Sequence, residues 1–66
     1  MKNTIRVERA IKNMTQAELA EKVDVSRQTI NAIEAAKYVP SAVLAFKIAK
    51  VFGKTADEVF ALEDGD

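Results

Sequence analysis

Three polar residues in the middle of the chain, Arg27, Gln28 and Asn31, have side chains that can hydrogen-bond the edges of nucleic-acid bases. An arginine can donate to O6 and N7 of guanine together, and Gln or Asn can bond N6 and N7 of adenine. At 100° per residue these residues share one side of a helix, with Ile30 and Ile33 on the opposite side. The pattern predicts a helix with one buried face and one hydrogen-bonding face.

A polar helical face also has an ordinary explanation, because any helix exposed to water carries such residues. The preceding segment favours the more specific interpretation. Leu19, Ala20 and Val23 form the apolar face of a second predicted helix. A turn of about three residues, Asp24 to Ser26, then separates the two helices. Two helices joined in this way form a helix-turn-helix, the motif that places its second helix in the major groove of DNA.

Hydroxyl residues before apolar-patterned segments predict where the helices begin, and these residues are Thr15, Ser26, Ser41 and Thr55. The sequences from Thr15 and from Thr55 each have the spacing of a capping box. Helices are predicted at about Thr4 to Lys12, after Thr15, after Ser26 to about Ala35, after Ser41 to about Phe52, and after Thr55. No segment alternates like a strand, so we expect one all-α, five-helix domain over residues 1–66, with a frayed acidic end at 63–66.

The composition excludes several classes of function. The 66-residue chain contains no Cys and no His, so the usual ligands of a soft-metal site are missing, and its carboxylates alone do not make a catalytic site. So small a domain is also unsuited to enclosing a substrate pocket. We therefore expect no enzymatic activity, no metal and no cofactor. No apolar run approaches the ~20 residues that cross a bilayer, so we expect no membrane partner and a cytoplasmic location.

The net charge is zero, with 10 basic and 10 acidic residues, which at first argues against nucleic acid as a partner. The charges are unevenly distributed, however. Residues 1–40 carry seven Lys or Arg against five acids, and residues 41–66 carry three Lys against five acids. Phosphate contacts require positive charge where the DNA lies, and they do not require a positive net charge on the whole chain. The first part of the chain can therefore provide a DNA-binding surface.

The spacing of residues from position 16 onward resembles the lambda-repressor-like, Cro-repressor-type helix-turn-helix family, also called xenobiotic-response-element regulators. The matching residues are Gln16-x-x-Leu19-Ala20-x4-Val25-Ser26-x3-Ile30-x2-Ile33-Glu34, followed by Lys37-Tyr38-x-Pro40-Ser41. The resemblance covers residues 5 to about 61. It implies a compact five-helix DNA-binding fold and a sequence-specific transcriptional regulator. The expected form is a repressor that binds double-stranded DNA at a near-palindromic operator as a homodimer, associated with the nucleoid.

The resemblance also implies roles for individual residues that would contact DNA. The residues that would face base edges are Arg27, Gln28 and Asn31. Gln16 would bond a phosphate and brace the side chain at the start of helix 3, and Lys37 would contact the backbone from the loop. The alternatives are that Gln16 is a plain first-turn residue and that Lys37 is a solvated surface lysine.

Other matching positions have supporting roles. Ser26 and Thr29 could reach phosphates while they also serve as cap and flank of helix 3. Arg9 and Glu34 occupy positions that form a structural ion pair in the family. Such a pair would tie helix 1 to the end of helix 3.

Four positions depart from the family pattern. Asn13, Asp24 and Ala36 stand where the family often has Gly, at positions that favour positive φ. Asn and Asp tolerate this conformation, whereas an alanine there costs about 1 kcal/mol. Helix 3 is therefore expected either to extend by a residue or to be followed by an adapted loop. Glu8 replaces a residue that is often apolar, so the packing of helix 1 can be shifted.

Helix 4 is apolar on most of its circumference, and helix 5 and the residues after it add more apolar side chains. One interpretation is a central core helix. The other is that part of this surface pairs with a second copy of the chain, through Phe52, Val59, Phe60 and Leu62. A different class of function also stays open, a protein-interaction module such as an antitoxin or adaptor on the same fold, and the zero net charge is the feature that favours it.

Overall fold

The structure is a computed structural model that describes all 66 residues and contains five α-helices. The helices are α1 (Ile5–Ile11), α2 (Gln16–Val23), α3 (Arg27–Glu34), α4 (Ala42–Val51) and α5 (Ala56–Val59). Their number and order agree with the prediction. The longest, α4, has ten residues, and no helix combines the length and apolar content that crossing a bilayer requires.

A short antiparallel ribbon joins the two ends of the chain, and it was not predicted. Its strands, β1 (Lys2–Asn3) and β2 (Phe60–Ala61), pair Lys2 with Ala61 and Asn3 with Phe60. The backbone N–H of Thr4 continues the contact by donating to the carbonyl of Val59 at 2.9 Å. Strands of two residues are too short to show an alternating pattern, so only the tertiary pairing reveals them.

Residues 63–66, where we expected fraying, turn back toward the N-terminus. The ammonium group of Met1 lies 3.2 Å from carboxylate oxygens of both Glu63 and Asp66. Ion pairs as exposed as these contribute little to stability.

Side-chain caps fix the starts of the two central helices. At α2, the Thr15 hydroxyl accepts from the N–H of Glu18, and the Glu18 carboxylate accepts from the N–H of Thr15, both at 3.0 Å. At α3, the Ser26 hydroxyl accepts from the N–H of Thr29 at 3.2 Å. Each cap satisfies donors that the helix cannot satisfy itself. The predicted starts of α2 and α3 are therefore confirmed.

The hydrophobic core lies where α2 packs against α3 and α4, and where α4 packs against α5. Its buried residues are Ile5, Leu19, Ala20, Val23, Ile30, Ile33, Ile48, Ala49, Phe52, Val59 and Phe60. Every helix contributes at least one of them, so the core holds α3 in a fixed orientation. Removal of this apolar surface from water is the main stabilising contribution in so small a domain.

Glu8 is a buried charged residue in α1, at the position where an apolar residue would be usual. Its carboxylate lies 3.4 Å from the ammonium group of Lys54, which follows α4. An ion pair therefore joins α1 to the end of α4 at a point where an apolar side chain would otherwise pack.

Three non-glycine residues have left-handed backbone conformations, Asn13, Asp24 and Ala36, with φ of 53°, 60° and 58°. Asp24 ends α2 and opens the turn, which the N–H of Val25 closes on the carbonyl of Ala20 at 3.0 Å. Two outcomes were expected at Ala36, a longer α3 or an adapted loop, and neither of them occurs. Helix α3 ends at Glu34, and Ala36 keeps the left-handed conformation.

Replacement of Ala36 by glycine is expected to stabilise the protein. The left-handed conformation costs an alanine about 1–2 kcal/mol, while glycine adds up to about 1 kcal/mol of entropy to the unfolded chain. We expect Ala36→Gly to raise the free energy of unfolding by roughly 0.5–1 kcal/mol, as measured by urea denaturation. The neighbouring Ala35 has φ of −79°, so Ala35→Gly, the matched control, should lower it. A change of the same sign in both variants would contradict strain at Ala36.

Candidate nucleic-acid interface

The solvent-facing side of α3 carries the three residues that the sequence predicted to face bases. Arg27, Gln28 and Asn31 are exposed, whereas Ile30 and Ile33 are 0% and 1% exposed on the opposite side. The two isoleucines pack into the core and so fix the rotation of the helix about its axis. The predicted division into a buried face and a hydrogen-bonding face is present in the structure.

The two hydroxyls at the start of α3 hydrogen-bond each other. Oγ of Ser26 lies 3.0 Å from Oγ1 of Thr29, in addition to accepting the backbone N–H of that residue. This contact uses one of the two hydroxyl hydrogens. The other remains available to an acceptor outside the protein, such as a phosphate oxygen.

Arg9 and Glu34 form a bidentate ion pair between α1 and the last turn of α3. Nε of Arg9 donates to one carboxylate oxygen at 2.6 Å, and Nη2 donates to the other at 3.0 Å. Nη1 of the same guanidinium donates to the carbonyl of Met14 at 2.9 Å, in the loop before α2. The Glu34 side chain is only 1% exposed. The pair therefore links three segments around a buried carboxylate.

The surroundings of Glu34 hold its carboxyl group in the ionised form. Burial alone would raise its pKa, but hydrogen bonds from Arg9 and Gln16 and the charges of Arg9 and Arg6 outweigh that effect. The pKa of Glu34 is consequently lowered from its ordinary value of 4.5. The same contact raises the pKa of the Arg9 guanidinium through its hydrogen bond to Glu34.

Gln16, the first residue of α2, braces α3 at a different place from the one expected. Its Nε2 lies 3.3 Å from Oε1 of Glu34 and 3.3 Å from Oδ1 of Asn31. The expected brace was to the side chain at the start of α3, so its assignment to that end is corrected. The amide contacts instead the middle of α3, at Asn31, and its last residue, Glu34, whose carboxylate accepts one of the Nε2 hydrogens.

An open depression of about 710 Å³ lies between the end of α1, the start of α2 and the start of α3. Its polar lining includes Arg9, Asn13, Thr15, Gln16 and Arg27. The guanidinium groups of Arg9 and Arg27 therefore lie at the same depression as the first turn of the eight-residue helix α2. First-turn N–H groups and nearby cations form an environment that favours an anion.

Lys37 lies in the loop after α3 with its side chain exposed. Its backbone N–H donates to the carbonyl of Ala32 at 2.9 Å, so the loop turns directly off the helix. The lysine makes none of the ion pairs in the structure, and its charge is free to meet an anion.

A family model described as helix-turn-helix matches residues 5–59. The chain belongs to this family. The resemblance to lambda-repressor-like regulators is thereby confirmed, and the matched residues take in α1 to α5. Membership rests on a match over most of the chain rather than on the turn alone.

Several relatives resemble the chain over its whole length. An uncharacterized HTH-type transcriptional regulator of Methanocaldococcus jannaschii is 54% identical over 66 residues, which is all of both chains. The uncharacterized HTH-type transcriptional regulator YgzD of Bacillus subtilis is 47% identical over 64 residues, 97% of each chain. The crystal structure of the clp gene regulator ClgR of Corynebacterium glutamicum is similar in fold, with a TM-score of 0.76 and 28% identity. The match covers 82% of this chain and 57% of the ClgR chain.

Two residues of this helix-turn-helix protein support the interface without having been predicted. Asn3 donates from Nδ2 to the carbonyl of Ile33 at 2.9 Å and accepts from the N–H of Ile5 at 3.2 Å. Arg6, 78% exposed, lies 3.7 Å from Glu34. The spacing of Arg6 and Arg9 by three residues on one helix is a signal that could have identified Arg6. The contact of Asn3 with α3 depends on the ribbon and has no such signal.

The residues expected at a dimer interface are mostly in the protein's own core. Phe52 and Val59 are 5% and 1% exposed, and Phe60 is 8% exposed. The assignment of Phe52 and Val59 to a surface for a second chain is therefore corrected, because the small helical core requires them itself, whereas Phe60 is in the core and also borders an apolar groove. Only Leu62, which is 81% exposed, remains at the surface.

The low pKa of Glu34 predicts a pH-dependent contribution to stability. Because the folded pKa lies below its unfolded value, ionised Glu34 stabilises the fold above about pH 4.5, and this stabilisation is lost as the pH falls through the folded pKa. We expect Glu34→Gln to cost about 2 kcal/mol at pH 7, typical for charged hydrogen bonds. The difference from the wild type should shrink as the pH is lowered, in urea denaturation between pH 7 and pH 3. A difference independent of pH would show that the charge of Glu34 does not stabilise the fold.

Proposed function

We propose that this helix-turn-helix protein is a DNA-binding transcriptional regulator, a repressor that binds a near-palindromic operator as a homodimer. The observation that carries the proposal is the exposed face of α3, on which Arg27, Gln28 and Asn31 project from a helix seated by Ile30 and Ile33. A helix held in this way can enter the major groove and offer hydrogen-bonding groups to base edges. The relatives that match over their full length are named HTH-type transcriptional regulators, which supports the same conclusion.

Phosphate contacts on both sides of α3 would set its position in the groove. On one side, the depression at the start of α2 would receive a phosphate between Arg27 and the N–H groups of the first helical turn. On the other side, the free charge of Lys37 would contact a second phosphate. The spare hydroxyl hydrogen of Ser26 or Thr29 would add a contact at the start of α3. Such contacts fix register and orientation, whereas the base contacts give specificity.

An apolar groove of about 400 Å³ would provide the surface for the second copy. Val39, Phe46 and Leu62 line it and are all more than half exposed, and the largely buried Phe60 lines it as well. Large exposed apolar side chains grouped in one place mark an interaction site more often than isolated ones do. A dimer on a near-palindromic operator must present its two α3 helices about 34 Å apart, one turn of DNA, so pairing at the groove about a two-fold axis would have to give this spacing.

The two kinds of DNA contact predict different effects of mutation. Gln28→Ala should relax base preference at one operator position, with a loss of about 1–3 kcal/mol of discrimination. Lys37→Ala should weaken binding to all sequences alike and reduce the slope of log Kd against log salt by about one. In vitro selection followed by fluorescence anisotropy at several salt concentrations would measure both. Equal losses for the two variants on every sequence would contradict these roles.

The groove predicts a specific effect on oligomeric state. Phe46→Glu places a charge in the groove and should convert the wild-type dimer to a monomer in sedimentation velocity experiments. Ile11→Glu is the matched control, because Ile11 is also more than half exposed but lies on α1, outside the groove. The control should remain dimeric. A monomeric wild type, with an unlike protein bound at the groove instead, would favour an antitoxin or adaptor over a homodimeric repressor.

A further inference from the structure

We propose that a depression between α2 and α4 binds a small organic dianion, a phosphate monoester whose phosphate group is attached to an apolar part. The site does not depend on the proposed function, because it shares no lining residue with the depression at the start of α2 or with the exposed face of α3. It is open to solvent and has a volume of about 300 Å³. The lining residues come from the end of α2 and the second half of α4, and they are Lys22, Val23, Asp24, Lys47, Lys50 and Val51.

Three lysine ammonium groups surround this depression, and none of them takes part in an ion pair. Lys22 is in the last turn of α2, whereas Lys47 and Lys50 are three residues apart on α4. Three lysines against one acidic residue, Asp24, give the lining a charge of +2 in a chain whose net charge is zero. The basic groups that do form ion pairs are the N-terminal ammonium, Arg6, Arg9 and Lys54.

Helix dipoles alone do not account for this grouping of lysines. A lysine in the last turn of a helix is favoured by the dipole, which explains Lys22 and Lys50. Lys47 precedes the last turn of α4, and a like charge three residues away on the same helix is unfavourable. A concave surface lined by one sign of charge raises the local concentration of counter-ions. An anion seated in the depression would remove the repulsion between the lysines.

The acidic side chains of α2 leave the depression positive. Glu18 is one turn before Lys22, but its carboxylate belongs to the helix cap, where it accepts from the N–H of Thr15 at 3.0 Å. Hydrogen bonds with Thr15 are the main cause of the lowered pKa of Glu18, and the charge of Lys22 contributes less. Glu21 directly precedes Lys22, so its side chain leaves the helix in a different direction. Neither glutamate lines the depression.

Two valines of the lining indicate the second part of the ligand. Val23 is 3% exposed and belongs to the core, and Val51 is half-buried and packs against the core. A ligand that touches only the lysines would leave this apolar surface in contact with water. A phosphate monoester carries close to two negative charges at neutral pH, which matches the charge of the lining, and lysines bind phosphate as point charges. Its apolar part would cover the valines.

A titration of isotope-labelled protein with phenyl phosphate, followed by NMR, tests the site. In a phosphate-free buffer with about 50 mM salt, where screening of charges is moderate, we expect saturable shifts of the backbone amide signals of residues 22–24 and 47–51. The expected Kd is about 1 mM or lower. Inorganic phosphate, which lacks the apolar part, should bind about tenfold more weakly. Phenol, which lacks the charge, should not produce these shifts.

Variants that change the charge of the lining in opposite directions should change the Kd in opposite directions. Lys47→Gln combined with Lys50→Gln removes two of the three ammonium groups and should weaken binding of phenyl phosphate about tenfold. Asp24→Asn removes the single acidic group and should tighten binding about two- to threefold. Asparagine tolerates the left-handed conformation of residue 24, so this variant is expected to fold.

The matched control for the double lysine variant is Lys2→Gln combined with Lys12→Gln. It removes the same number of charges from exposed positions outside the depression, and the Kd should not change. Because all four of these lysines are exposed, neither double variant is expected to unfold the protein, and thermal melts verify this.

Three results would overturn the proposal. The first is the absence of saturable shifts at residues 22–24 and 47–51. The second is an equal loss of affinity in the two double lysine variants, which would show a response to net charge rather than a site. The third is equal affinity for phenyl phosphate and inorganic phosphate, which would contradict the apolar part of the ligand. DNA binding is measured separately, by in vitro selection, so a failure of this site leaves the proposed function unchanged.

Discussion

The buried carboxylate of Glu34 is the group around which α1, α2 and α3 are arranged. A charge removed from water is strongly destabilising unless it is paired and hydrogen-bonded. Here the partners come from different parts of the chain, because Arg9 lies on α1 and Gln16 starts α2. The requirement to satisfy one side chain therefore fixes the positions of three helices relative to one another. The contacts of Glu34 with Arg9 and Gln16 therefore also determine where the outward face of α3 lies.

Two kinds of interaction constrain α3 in different ways. Apolar burial of Ile30 and Ile33 favours one rotation of the helix about its axis, but it tolerates small shifts along that axis because apolar contacts have little directionality. The ion pair at Glu34 has strict distance and angle requirements, which oppose such shifts. The cap at Ser26 fixes the opposite end. Together they hold the exposed side chains of α3 in a defined position, which the base-reading role that we propose for them requires.

Features that depend on local sequence were predictable, and those that depend on distant contacts were less so. Cap residues and the turn at Asp24 act within a few positions, so the sequence could locate the helix starts. Residue type alone could not divide the apolar residues between core and surface, and Phe52 and Val59 proved to be buried. The partner of Gln16 was also beyond local reasoning, because it depends on where α2 crosses α3 in space.

The ribbon between β1 and β2 has a consequence for how the chain reaches its native state. Almost the whole chain lies between Lys2 and Ala61, so their pairing closes a loop that contains all five helices. Closing so long a loop carries a large entropic cost unless the intervening helices have already packed and brought the ends together. The ribbon is therefore a late element of the folding reaction. Because Asn3 bonds the carbonyl of Ile33, its formation completes the support of α3 only after the rest of the domain is in place.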